Sequence, residues 1–124
     1  MVWPRILVTG GTGFIGGWVV DALCSAGATD VVAGVRRPSP RLERVPVKLV
    51  HCDLMDRESL ETALQGIEVV IHCGRDPAKG ATVEGTRRLL EAIRVRGIKR
   101  LIQMSSIAVY GNARGVVTEE VSES

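Results

Sequence analysis

A chain of 124 residues with 45% hydrophobic and 24% charged side chains has the size and balance of one globular domain with a real core. Its formal net charge of +2 is too small to demand a polyanionic partner, and 3% aromatics supply no stacking platform, which argues against nucleic-acid binding. No apolar run reaches membrane-spanning length. Cys24, Cys52 and Cys73 are an odd number without C-x-x-C spacing, which points to a reduced compartment.

The N-terminus, Met1 to Arg5, enters an apolar run at once and has no signal-peptide pattern, so a cytoplasmic location is expected. The run Ile6-Leu7-Val8 reads as a buried strand. Thr9-Gly10-Gly11-Thr12-Gly13-Phe14-Ile15-Gly16 follows, opening a segment with helical periodicity at Ile15, Val19 and Leu23, widened by Trp18 and Ala22. Strand, glycine turn and helix together make the phosphate-binding corner of a dinucleotide fold. Gly10 permits the tight turn, Gly13 lets backbone approach a pyrophosphate, and Gly16 lets the helix pack close. The first-turn N–H groups are then left for anionic oxygen. The spacing Gly10-x-x-Gly13-x-x-Gly16 differs from the commoner G-x-G-x-x-G, and its place between strand and helix makes it specific.

Ala26-Gly27 stops the helix, and residues 30–35 read as a second strand ending in Arg36-Arg37. The residue closing this strand, about 20 beyond the last glycine, faces the adenosine ribose in such folds. An acid there would take the free 2′-hydroxyl of NAD, whereas arginine offers a planar cationic fork to a 2′-phosphate, so NADP is preferred, with NAD possible. A solvated loop arginine is the plainer alternative for one of the pair. Pro38-Ser39-Pro40 breaks the chain into a loop, and Arg36, Arg37, Arg41 and Arg44 concentrate here four of thirteen arginines, against three lysines in all.

Residues 47–52 form the third strand, leading to Asp53-Leu54. Asp56 is a candidate N-cap for a helix through about Gln65, with Gly66 as terminator. Asp53 has two readings: electrostatic support of that helix, or acceptance of a hydrogen bond from an adenine amino group. Residues 68–74 are the fourth strand and its turn, with Cys73-Gly74 at its end. His72 reads as packing or turn chemistry, with direct catalysis as the alternative. In the next helix Val83, Thr86, Leu90 and Ile93 form the expected buried stripe, and Arg87, Arg88, Arg94 and Arg96 a solvated face. Residues 101–104 are the fifth strand, and Ser105-Ser106 follow it. Short links and alternating elements predict a parallel α/β sheet in the order 3-2-1-4-5, with the glycine turn, Arg36, Asp53, Gly74 and Ser106 along one rim.

Together the stretches Thr9 to Gly16, Asp53-Leu54, Val70-Ile71-His72, Val83 to Ala92 and Ser105 to Gly111 resemble the extended short-chain dehydrogenase/reductase superfamily, the NAD(P)-dependent epimerase/dehydratase group. They occur in the family's order over nearly the whole chain. The resemblance implies a three-layer Rossmann-like NAD(P)-binding fold over residues 1–124. The expected cofactor contacts are Gly10, Thr12, Gly13, Phe14, Ile15, Gly16, Arg36, Arg37, Asp53, Leu54, Cys73 and Gly74. Ser106 matches the family's catalytic Ser/Thr, whose hydroxyl steadies the substrate oxygen for proton transfer. Tyr110 lies in the Val-Tyr-Gly turn and reads as structural or substrate-facing.

Three departures accompany the resemblance. The sequence contains no Tyr-x-x-x-Lys, the pair that supplies the acid/base hydroxyl and the charge that tunes it. The link from His72 to Gly85 is shorter than usual, and Thr82 replaces a common Asn. The expectation is therefore the N-terminal part of a longer oxidoreductase, epimerase or dehydratase acting on a sugar nucleotide or another alcohol or carbonyl. The alternative is a non-catalytic NADP(H)-binding sensor or regulatory module. A small-molecule substrate is the expected partner, with neither nucleic acid, membrane nor metal, and the resemblance admits a homodimer.

Overall fold

Val, Ile and Leu in short runs alternating with helical segments leave the central strands covered on both faces. In the computed structural model, which describes residues 2–11, 13–37, 40–43, 45–73 and 81–103, those runs become five strands. In chain order they are β1 (Ile6–Thr9), α1 (Phe14–Ser25), β2 (Val31–Val35), α2 (Pro40–Glu43), β3 (Lys48–His51), α3 (Arg57–Ala63), β4 (Val69–His72), α4 (Ala81–Arg96) and β5 (Arg100–Gln103). All pairings are parallel and the order is β3-β2-β1-β4-β5, as the crossover pattern predicts. Thr9 pairs with Gly34 on one side and His72 on the other, which aligns the carboxyl ends of the three central strands.

Alternate residues of the strands feed two cores. Leu7, Val32 and Val70 meet Leu60, Leu64, Leu89 and Ile93 from α3 and α4. Ile6, Val8, Ala33 and Ile71 meet Val20 of α1 and Leu42 of α2. The short α2 replaces the loop expected after the second strand. Proline is favoured at a first helical position, and one turn from Pro40 is enough to drop Leu42 into the core.

Both long helices bury only part of the expected stripe: Val19 and Leu23 of α1 pack against the core, as Ile93 of α4 does, but the stripe's other large apolar residues do not. On α1 the buried positions are Gly16, Gly17 and Val20, whereas Trp18 is 59% exposed and Ile15 and Ala22 are also exposed. On α4 Gly85, Leu89 and Ile93 are buried, whereas Val83 is 76% and Leu90 45% exposed. On each helix a glycine makes the close approach, Gly16 to Gly10 and Gly85 to Leu54, and this sets the rotation at which the helix can pack. The cap of α3 is as expected, with Asp56 accepting from the N–H groups of Glu58 and Ser59, and Gly66 beyond its end has φ +72°. Among the described residues no helix is long and apolar enough to cross a membrane.

Candidate cofactor-binding site

The turn after β1 is built from backbone. Gly10 takes φ +67°, a conformation open to glycine, and its carbonyl accepts the N–H of Gly13 at 2.9 Å. The N–H of Gly11 reaches the carbonyl of Gly34 on β2 at 3.2 Å. A Cβ on Gly16 would lie inside the contact radius of the Gly10 carbonyl oxygen and 2.7 Å from its carbon, so the first turn of α1 rests directly on the loop. Gly13 caps α1 without a side chain, and no acidic residue occupies its first turn. An α-helix begins with unpaired N–H groups and positive partial charge, and its N-cap, Gly13, has no side chain to answer them. An anionic group such as a pyrophosphate fits this corner, since a Cβ on Gly13 would stand 3.3 Å from the Gly10 carbonyl oxygen.

The parallel strands carry the other expected residues to the same edge. Arg36 and Arg37 follow β2 and are exposed; Asp53 and Leu54 follow β3; Cys73 follows β4. The segment after β3 is held in shape from within. Asp53 Oδ1 accepts the Met55 N–H at 2.9 Å, closing a turn. The Ser59 hydroxyl accepts the Asp53 N–H at 3.0 Å and lies 3.1 and 2.9 Å from the carbonyls of Asp53 and Asp56, one of which takes its proton. Asp56, not Asp53, caps α3.

Helix α4 then grips this segment. A Cβ on Gly85 would be 3.1 Å from both Cβ and Cδ1 of Leu54. Arg88 donates from Nη1 to the Met55 carbonyl at 3.1 Å and from Nε to Glu84 at 3.0 Å. Hydrogen bonds from Arg87 and Arg88 hold the Glu84 carboxyl down, to about 2. The arginine run is thus only partly a solvated face: Arg88 is a strap across the loop.

His72 is buried at 3% exposure and makes two side-chain bonds. Nδ1 is 2.7 Å from the Thr9 hydroxyl and Nε2 is 3.0 Å from the Thr86 hydroxyl. The Thr9 hydroxyl also accepts the Cys73 N–H at 3.1 Å. Burial pushes the His72 pKa down and the Cys73 thiol up; Cys52, buried beside Asp53, rises to about 11. Both thiol shifts favour the protonated form at neutral pH.

Of the expected site residues, Gly10, Gly13, Ile15, Gly16, Arg36, Arg37, Asp53, Leu54 and Cys73 share the carboxyl edge, as does the backbone of Phe14. Thr12, Gly74, Ser106 and Tyr110 lie outside the described residues. Gly85, Thr86 and Arg88 act at the rim through partners distant in the chain, and no local spacing announces them; Ser59 acts locally, on Asp53 and Asp56. A groove of about 580 Å³ between α3 and α4, lined by Leu54, Leu60 and Ala92 and edged by charged side chains, includes neither the glycine turn nor Arg36.

The model of the NAD dependent epimerase/dehydratase family matches residues 6–124. Sterol demethylase protein B of Methylococcus capsulatus is 34% identical over 91% of this chain and 38% of that protein. A short-chain dehydrogenase/reductase superfamily protein from Agrobacterium tumefaciens, solved with bound NAD, is 35% identical, with a TM-score of 0.79 over 96% of this chain and 38% of that one. UDP-glucose-4-epimerase from Stenotrophomonas maltophila, solved with NAD and formylated UDP-arabinopyranose, is 26% identical with a TM-score of 0.82, over 98% and 43% respectively. The chain spans 30% to 44% of the length of the curated relatives it matches.

Proposed function

The chain belongs to the NAD dependent epimerase/dehydratase family, and we propose that it is the dinucleotide-binding portion of an oxidoreductase, epimerase or dehydratase that prefers NADP(H). The observation that carries this reading is the start of α1 at Gly13, behind the Gly10–Gly16 turn and on the same edge as Arg36 and Arg37 at the end of β2. The first would hold a pyrophosphate and the second a ribose 2′-phosphate, with Asp53 and Leu54 beside the adenine. When bound, the nicotinamide accepts or returns a hydride.

In this proposal Ser106 hydrogen-bonds the substrate oxygen, and the Tyr-x-x-x-Lys pair lies outside residues 1–124. Substrates are sugar nucleotides or other alcohols and carbonyls, the range spanned by relatives named as a UDP-glucose epimerase and a sterol demethylase protein. The setting is cytoplasmic, in keeping with three free thiols, and the ligands are small molecules, with neither nucleic acid nor membrane.

Titration of the full-length protein with NADPH and NADH by nucleotide fluorescence tests the reading. Arg36→Ala should weaken NADPH about tenfold or more and NADH less than about twofold, because a charge-assisted contact to one phosphate is lost. Equal losses for both cofactors would overturn the NADP preference.

A further inference from the structure

We propose that His72 is a positioning residue for the dinucleotide turn, an imidazole strut that ties the end of β1 to α4 through Thr9 and Thr86. The inference rests on reading the Gly10–Gly16 turn as the cofactor site. Thr9 is the last residue of β1 and the immediate neighbour of Gly10, so its placement sets where the turn begins. On its β2 side the turn is held through backbone, Gly11 N–H to Gly34 carbonyl. On its β4 side, side chains add to the backbone ladder. The Thr9 carbonyl and hydroxyl both accept the Cys73 N–H, and the same hydroxyl meets His72 Nδ1. The far side of the ring is fixed by Thr86, 14 residues on.

Packing alone does not call for histidine here. The preceding β4 residues are Val69, Val70 and Ile71, and an apolar residue would fill the position without a polar group to satisfy. A neutral imidazole has one donor and one acceptor, on opposite sides of the ring, and each hydroxyl can complement either. In either tautomer one nitrogen accepts a hydroxyl proton and the other gives its own. The result is a link of defined length from the Thr9 side chain to α4, which an aliphatic contact would not supply.

The link has a second end with consequences. The turn of α4 carrying Thr86 also carries Gly85, seated on Leu54, and Arg88, bonded to the Met55 carbonyl. One helical segment thus sets both the pyrophosphate turn and the segment after β3. A shift of α4 would misplace the two halves of the rim together, and His72 is the path by which it reaches the turn.

The test uses the full-length protein, with NADH and NADPH as probes. Thr86→Val keeps the side-chain volume and removes the Nε2 partner. It should weaken both cofactors about five- to tenfold, and Thr86→Ser should return affinity to within about twofold of the parent. His72→Gln, which keeps a donor and an acceptor on a flexible stem, should fall between the two. Unchanged affinities in Thr86→Val and His72→Gln, with only a lowered melting temperature, would make His72 a packing residue and overturn the proposal. If the parent binds neither cofactor, the cofactor reading itself fails and takes this inference with it; the parent titration separates that result from the first.

Discussion

The two ends of the cofactor rim are made in opposite ways. At the β1–α1 corner the structure depends on what is missing: no Cβ at Gly16, no capping side chain at Gly13, a φ at Gly10 that side chains disfavour. At the β4–α4 side it depends on side chains that meet across the chain, Thr9 with His72, His72 with Thr86, Arg88 with Met55. The first kind of construction tolerates almost no added atom. The second tolerates substitution more readily, but each loss loosens a distance, not the fold.

The sharpest way to break this contrast is Gly16→Ala. The new methyl would collide with backbone at Gly10, which cannot rotate away, so α1 must lift off the turn. The expected cost is about 3 kcal/mol of stability, at the upper end for overpacking, with loss of measurable dinucleotide binding. Urea unfolding and nucleotide titration of the same sample would check both; a near-neutral result would mean that the helix does not rest on the loop.

This contrast also explains what could be read from the residues in line. Gly10, Gly13 and Gly16 act within seven positions, so their spacing carried the corner, and the Asp56 cap and the strand order followed from equally local signals. The expected helix stripes hold at Val19, Leu23 and Ile93 and fail elsewhere for a physical reason. Ile15 with Trp18, and Val83 with Leu90, make convincing apolar stripes, yet the deciding contacts belong to Gly16 and Gly85, which add nothing to a hydrophobic pattern. The His72 link was illegible because Thr9 and His72 are 63 residues apart and become neighbours only through the β1–β4 register. Cys73 and Asp53 reached the expected edge because parallel strands deliver their carboxyl ends there regardless of what holds them.

A smaller effect sharpens the β4–α4 side. Both hydrogen-bond partners of His72 are neutral hydroxyls, so burial is what lowers its pKa. An imidazole that stays neutral in the folded chain and takes a proton on unfolding makes stability rise with pH. The contribution is complete above the unfolded value of about 6.5 and is lost as pH falls toward the folded one. The slope from this group is at most about 1.4 kcal/mol per pH unit. Urea midpoints between pH 7.5 and 5.5 should therefore fall more steeply in the parent than in His72→Gln. Parallel profiles would mean that His72 protonates as easily folded as unfolded.

The mildest expected change, Gly85→Ala, asks whether the two constructions really differ. Like Gly16→Ala it adds one methyl to a helix glycine at a close contact. Here the methyl would stand 3.1 Å from Leu54 Cβ and Cδ1, a side chain that can yield by a few tenths of an ångström. Alanine also favours the helix by about 1 kcal/mol over glycine, offsetting part of the overpacking. The net loss should be about 1 kcal/mol or less, well below that of Gly16→Ala. Its trace should instead appear in binding: Leu54 displaced toward the rim should weaken NADH and NADPH equally, by about two- to threefold, since neither Arg36 nor the glycine turn has moved. A Gly85→Ala protein as damaged as Gly16→Ala would show that α4 is seated as rigidly as α1, and that both sides of the rim are set by close backbone approach.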